Sequence, residues 1–332
     1  MNYPKLLITG ATGALGPTVV NALYNKGYRI KVFSLDPLKN ASFPSGVEVI
    51  YGDITKEKID IILKGIDGVV HMAAMLHINN PSPNMIPKYE EVNVVGTDNV
   101  VRYSILAGVR RIILFSTIAV YGNTEGRIAD ETSPPRPNGL YAKTKLKAEK
   151  IVLRAKSVDG VPIGTVLRFG AVYGPRVKGN YYYLLKAISK GRFIPIGKGE
   201  NRRSLVFEND VPQAVMRALE HESAPGNVYN VTDGNVYTVK EIIESIYAAF
   251  GKNPPKMHLP VWPANSLFAL FENGCHFLRV RPRFGRWTLE KYTEDAAVNG
   301  QKIMTELGFG PNYDLRKGWQ ETVLQMRVSG LL

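Results

Sequence analysis

One cysteine, Cys275, in 332 residues excludes an internal disulfide and fits a reducing compartment. No apolar run reaches the ~20 residues that span a bilayer. The chain opens directly on a strand-like segment, with no charged-then-apolar leader, so a cytoplasmic location is expected. The paired His/Asp/Glu spacing of a metal site is missing; His71 and His77 read as loop or packing residues, and no metal is expected. Internal repeats and low-complexity linkers are absent. Acids are scarce: 29 Asp and Glu against 42 Lys and Arg leave a formal charge of +13, which favours anionic partners. Without zinc spacing or a base-reading basic helix, nucleic acid is not expected, and a nucleotide diphosphate suffices as the anion. Most of these charges are read as solvated surface.

Three segments carry chemistry. The apolar run Lys5–Thr9 passes into Gly10-Ala11-Thr12-Gly13-Ala14-Leu15-Gly16 and then a helical stretch through Val19, Val20, Leu23 and Tyr24. Strand, G-x-x-G-x-x-G turn and helix together bring backbone N–H groups and a helix N-terminus against a pyrophosphate. Tyr141-Ala142-Lys143-Thr144-Lys145 sets a phenol and an ammonium one helical turn apart. A cation there stabilises the phenolate and lowers a pKa otherwise near ~10, letting Tyr141 exchange a proton with a hydroxyl or carbonyl. The third segment, Ile112–Gly122, is a buried-type strand ending in Ser116 and Thr117.

With these motifs in order, the sequence resembles the extended short-chain dehydrogenase/reductase superfamily, the NAD-dependent epimerases and dehydratases. Further matches are Gly52-Asp53-Ile54, His71-Met72-Ala73-Ala74, Asn93-Val94-Val95-Gly96-Thr97 and Arg168–Pro175, and the likeness covers about residues 5 to 325. Gly179-Asn180, the stretch Asn201–Val206 and Asn209-Asp210-Val211 look most like the nucleotide-sugar branch that acts on UDP-hexoses. The resemblance implies that Thr117 hydrogen-bonds the reacting oxygen, Tyr141 is the acid/base, and Lys145 holds the nicotinamide ribose and tunes Tyr141. It implies cofactor contacts from Gly10, Thr12, Gly13, Ala14, Leu15, Gly16, Ser34, Asp36, Asp53, Ile54, Ala73, Ala74 and Phe169, besides Tyr141 and Lys145. Asn180 and Arg203 would grip the substrate's diphosphate. Asn93 is more structural than chemical in that family. A homodimer is expected, paired through the helices around 89–107 and 141–156.

The expected fold is α/β, a doubly wound parallel sheet of Rossmann-like type with a smaller C-terminal α/β substrate lobe. Residues 1–175 form the cofactor-binding domain, and 176–332 form mainly the substrate lobe with some segments returning to the first domain. Strands are read at 5–9, 30–34, 47–51, 68–72, 111–116 and 163–169, and helices at roughly 13–26, 56–64, 89–107, 141–156, 181–190, 210–220, 238–250 and 315–327. The ligand crevice should lie beyond the carboxyl ends of the strands.

Several residues have plainer readings. Asp53 could only form a turn; Arg203 could be a surface charge beside Arg202; Ser116 could take the role of Thr117, although the register counted back from Val120-Tyr121-Gly122 prefers Thr117. For the cofactor, Leu35 stands where NADP-preferring relatives carry arginine, and Ser34 where NAD-preferring ones carry an acid, with Asp36 two residues late. NAD is expected, NADP being the alternative. Ile118 and Ala119 replace the Asp-Glu pair of the 4,6-dehydratases, which excludes dehydration. The expected activity is epimerisation of a UDP-hexose through a 4-keto intermediate. Alternatives are reduction of a UDP-4-keto-6-deoxy sugar, a 3β-hydroxysteroid or sterol dehydrogenase, and a non-catalytic NAD(P) sensor, the last disfavoured because Thr117, Tyr141 and Lys145 are all retained. The segment from Leu259 to Trp287, rich in aromatics and arginines, reads as a helix packed on the second lobe; peripheral membrane contact at 277–287 is the less favoured reading.

Overall fold

Leu6 and Ile8 leave one side of the first strand and Leu7 the other, and all three are buried. A strand covered on both faces reads as a continuous apolar run and needs a helical layer on each side. The computed structural model describes residues 4–37, 43–56, 58–76, 83–255, 257–277, 285, 289 and 292–332; His77 and the greater part of 277–287 lie outside them.

In chain order the elements of the first two thirds are β1 (Lys5–Thr9), α1 (Gly16–Asn25), β2 (Arg29–Ser34), β3 (Glu48–Tyr51), α2 (Asp60–Leu63), β4 (Gly68–His71), α3 (Ile86–Glu90), α4 (Gly96–Leu106), β5 (Arg111–Thr117), α5 (Leu140–Leu153) and β6 (Gly164–Phe169). They are followed by β7 (Ala171–Tyr173), α6 (Asn180–Ser189), β8 (Arg202–Arg203), β9 (Leu205–Phe207), α7 (Val211–Glu220), β10 (Val228–Val231), β11 (Tyr237–Thr238), α8 (Val239–Ala249), α9 (Val261–Phe277) and the helices Gln301–Leu307 and Leu315–Val328. A seven-stranded sheet runs β10-β6-β5-β4-β1-β2-β3, every pairing parallel. It is the doubly wound, Rossmann-like sheet expected. One face packs Leu6 and Ile8 against Val19 and Leu23 of α1 and Val211 and Val215 of α7. The other packs Leu7, Val69 and Ile112 against Val100 of α4 and Ala148 and Val152 of α5. A smaller C-terminal core gathers Tyr173, Phe207, Ile242, Ile246 and Trp319.

Three readings are corrected. The helix expected over 13–26 starts at Gly16, because Gly13 and Gly16 donate N–H bonds to the Gly10 and Gly13 carbonyls, both at 3.1 Å, and residues 13–15 form the turn itself. The helix expected over 56–64 is the single turn Asp60–Leu63. The helix expected over 89–107 is α3 and α4 joined by a π turn, Glu91–Val95, a widening that side-chain periodicity does not encode. Within the segment from Leu259, α9 runs through Pro263, tolerated in the first turn. On it Ala264 is buried while Trp262, Leu267, Leu270 and Phe271 are exposed.

Among the described residues no helix is long and apolar enough to cross a membrane, and no group of three or more His, Cys, Asp and Glu is placed to hold a metal ion. Trp319 is fully buried, its ring centroid 4.2 Å from that of Tyr173. We expect Trp319→Ala to destabilise the fold by about 3–5 kcal/mol, read as a lower midpoint in urea unfolding. An unchanged midpoint would mean that this ring does not hold the C-terminal core.

Candidate active site

The sheet order reverses between β4 and β1, where the chain leaves in opposite directions and opens a crevice. Gly10 sits at that point with φ +70°, and a Cβ there would lie 2.5 Å from the Ala73 nitrogen, so only glycine lets the turn rest on the end of β4. Gly16 opens α1, and a Cβ on it would collide with the Ala11 carbonyl. No side chain caps α1 and its first turn carries no acid. The N-terminal N–H groups therefore have no protein acceptor from a cap, a cradle that suits a pyrophosphate. Gly13 and Ala14 are exposed at the rim of this turn, and Leu15 is partly buried.

A chain of hydrogen bonds runs beneath the crevice. The Ala73 N–H donates to Thr9 Oγ1 (3.3 Å), which meets His71 Nδ1 at 2.7 Å. His71 Nε2 meets Thr97 Oγ1 at 2.9 Å, and Thr97 donates to the Asn93 carbonyl at 2.7 Å. Since the Thr97 proton is committed to Asn93, His71 donates from Nε2, and in the neutral ring Nδ1 is left to accept from the Thr9 hydroxyl. Burial, aided by the charge of Lys145, pulls its pKa down to about 3. Asn93 then closes the crevice wall: Oδ1 accepts from the Met75 N–H at 2.7 Å, and Nδ2 donates to the Met75 carbonyl and to Thr144 Oγ1. The structural role expected of Asn93 is what these bonds describe.

Tyr141, Lys145 and Glu149 follow one another at four-residue spacing on α5, and so share a face. That helix packs against β5 and the turn Ile118–Tyr121. Glu149 is buried and accepts a hydrogen bond from Ser116 Oγ. Its carboxylate also takes Arg168 Nε at 3.0 Å and Nη2 at 2.7 Å, while Arg168 Nη1 reaches the Tyr121 hydroxyl at 2.8 Å. Side chains alternate along a strand, so with Ser116 turned into this network Thr117 is presented on the opposite side, at the strand's carboxyl end. Thr117 is partly exposed there and accepts from the Ala119 N–H at 3.2 Å. Ser116 is thereby occupied elsewhere. Lys145 is buried, which pulls its pKa down to about 8 against the opposing pull of Glu149. The lowering expected for Tyr141 does not appear: burial, with Tyr89 acting in the same direction, pushes its phenol up to about 12. In this environment the cost of desolvating a phenolate dominates.

The other expected residues are distributed around the crevice. Ser34, buried at the end of β2, meets Thr12 Oγ1 at 2.7 Å, while Leu35 and Asp36 are exposed beyond it. Asp53 Oδ1 accepts both the N–H and hydroxyl of Thr55, so the turn-forming reading holds for that oxygen. Ile54 is largely buried and its tip closes on Gly96. Ala74 is half-buried on the loop after β4. Phe169 ends β6 beside Thr117 in register and packs on Phe115, with ring centroids 4.6 Å apart, so its side chain belongs to the core. In the C-terminal region Asn180 is exposed at the first position of α6. Arg203 on β8 donates to the Arg202 and Glu294 carbonyls and lies near enough to Tyr181, which follows Asn180, to oppose the upward shift that burial gives that phenol.

The family model described as "NAD dependent epimerase/dehydratase family" matches residues 6–232. The chain belongs to that family. It is an NAD-dependent enzyme of the extended short-chain dehydrogenase/reductase type. It is 28% identical to the UDP-glucose 4-epimerase of Vibrio cholerae across 96% of this chain and 94% of that one. It is 30% identical to the N-acetyl-alpha-D-glucosaminyl-diphospho-ditrans,octacis-undecaprenol 4-epimerase of Escherichia coli O157:H7, covering 77% and 75% of the two chains. Among solved structures it is similar to MoeE5 in complex with UDP-glucose and NAD, with a TM-score of 0.76 and 26% identity over 98% and 99% of the two chains.

For a member of this epimerase/dehydratase family, sequence reading missed Glu149, Arg168 as its partner, and the neutral His71 chain. The one available signal was Glu149 at eight residues after Tyr141, a charge on the helix face already assigned to chemistry. Gly10→Ala should weaken NAD binding by at least about tenfold, because the turn must lift off Ala73; calorimetric titration checks this. Stability should also fall on acidification. His71 binds a proton in the unfolded chain below its ordinary 6.5 but in the folded one only near 3, so the folded state loses up to roughly 4–5 kcal/mol between these values. His71→Gln should flatten that part of the urea-unfolding profile between pH 6.5 and 4, and identical slopes would refute the neutral chain.

Proposed function

We propose that this enzyme epimerises a UDP-hexose at C4 through a transient 4-keto sugar. What carries the reading is the retention of Thr117, Tyr141 and Lys145 together, Thr117 at the carboxyl end of β5 and the other two on α5, with Ile118 and Ala119 following Thr117. A nearly full-length likeness to a UDP-glucose 4-epimerase supports it. Bound NAD would supply the acceptor, and then the donor, of the C4 hydride. Gly10, Gly13 and Gly16 with the α1 N-terminus would hold its pyrophosphate, Asp36 and Ser34 its ribose, and Lys145 its nicotinamide ribose. Tyr141 takes the proton from the 4-hydroxyl and later returns it, while Thr117 keeps the same oxygen in place. Because burial pushes the phenol up to about 12, Tyr141 becomes a base only where positive charge gathers beside it. Lys145, still mostly protonated below its value of about 8, is the protein's contribution to that charge. Asn180 and Arg203 would grip the diphosphate, with the sugar between them and Thr117. A homodimer through α4 and α5 belongs to the same reading.

The runner-up is reduction of a UDP-4-keto-6-deoxy sugar, favoured by the Asn201-Arg202-Arg203-Ser204 stretch. The purified protein, given UDP-glucose, UDP-N-acetylglucosamine and their galacto epimers without added cofactor, should interconvert at least one pair. If instead no pair interconverts while NAD(P)H is consumed with a 4-keto sugar, the reductase takes its place. Tyr141→Phe should lower kcat by about 10²-fold or more, and near-normal turnover in that variant would remove the mechanism.

A further inference from the structure

We propose that the outer face of α9, together with the segment beside its start, docks on an anionic lipid surface. A helix on the surface of a water-soluble domain normally turns its charged residues outward. The 17 residues of α9 contain no lysine or arginine and a single acid, Glu272. Its outward positions are uncharged and largely apolar: Trp262 is 76% exposed and Leu270 69%, with Val261, Leu267 and Phe271 also exposed beside Asn265, Ser266 and Asn273. Of its described side chains Ala264 alone is fully buried.

The face continues past the helix. Leu259 donates to the Pro195 carbonyl at 2.8 Å and accepts from the Gly197 N–H at 2.8 Å, which fixes residues 192–198 alongside the start of α9. Ile194 and Met257, on the two segments that this pairing joins, are exposed as well. Exposed cations lie in and around this segment: Lys190, Arg192 and Lys198, with Lys252 tied to the Ser189 carbonyl at 3.0 Å; Glu200 is the exposed acid nearby. At 1.5 Å per residue α9 is about 25 Å long, a length that suits lying in a headgroup layer, and it does not meet the conditions for crossing one. Aromatic and aliphatic side chains can enter the boundary between headgroups and acyl chains while lysine and arginine stay with anionic phosphates.

Charge decides between occupants. A two-fold contact with a second copy would set Arg192, Lys198 and their neighbours against themselves on a chain carrying +13. An anionic surface neutralises the same groups. The inference is independent of which sugar reaction the crevice performs.

The test uses the full chain with vesicles of phosphatidylcholine alone and of phosphatidylcholine mixed with phosphatidylglycerol. Co-sedimentation is expected with the anionic vesicles at low salt, at least about tenfold weaker with the neutral ones, and weakened by added salt. The variant Trp262→Ser/Leu270→Ser/Phe271→Ser should lose binding by at least tenfold with its melting temperature and NAD affinity unchanged, since these side chains are exposed. Three results overturn the proposal: no sedimentation at low salt, equal binding by the triple variant, which would make it generic attraction to a basic protein, or a fall in the variant's mass by light scattering, which would make the face a contact between copies.

Discussion

The buried carboxylate of Glu149 is the constraint on which the crevice depends. It is nearly excluded from water, and an unpaired charge in such a place is not tolerated; removing one partner of a buried ion pair typically costs about 3–5 kcal/mol. Its acceptor sites are therefore filled by Arg168 from β6 and Ser116 from β5, and those bonds pin α5 across two strands at once. The placement of Lys145 and Tyr141 follows, because they lie one and two turns earlier, respectively, on the same rigid face. Thr117 is oriented by the same bond, since its neighbour's side chain is committed inward.

A second constraint works from the opposite wall. The neutral His71 ring passes one direction of hydrogen bonding from Ala73 through Thr9 and Thr97 to Asn93, and Asn93 passes it on to α5 through Thr144. The rim of the glycine turn and the helix bearing Tyr141 and Lys145 thus belong to a single polar network inside an apolar core. Such networks are strong when every member is satisfied and costly when one is not. Burial around that network also sets the protonation states: the phenol is held neutral, and the lysine is drawn toward the range where it can give up its charge.

The sheet was legible because its strands are covered on both faces, so Leu6-Leu7-Ile8 and Ile112-Ile113-Leu114 stand out as unbroken apolar runs. The glycine turn and the Tyr141–Lys145 spacing were legible because their chemistry fixes both residue type and interval. β10 was harder to place, because Asn230 interrupts it; that side chain is turned to the Tyr121 hydroxyl and the Asn299 carbonyl, a tertiary reason invisible locally. The π turn at Glu91–Val95 depends on how Asn93 is held rather than on periodicity. Glu149 carries no signal of its burial in its own sequence, since its partners come from strands 33 and 19 residues away. The pKa of Tyr141 went against expectation because pattern reading sees the neighbouring charge and does not see the loss of water.

The strand that finishes the sheet, β10, arrives from beyond the elements β7, α6, β8 and β9, which lie outside that sheet, and is in register with Val166–Phe169 of β6. The chain is therefore interleaved, and its two parts cannot be exchanged as cassettes. A recombination event that replaced everything after Pro175 would strip β6 of its neighbour and leave an open hydrophobic edge unless the incoming piece carried a matching strand. New sugar specificities in such an architecture are more accessible through changes inside the loops between β7 and α7 than through wholesale replacement, because those loops can vary while both anchoring strands remain in place.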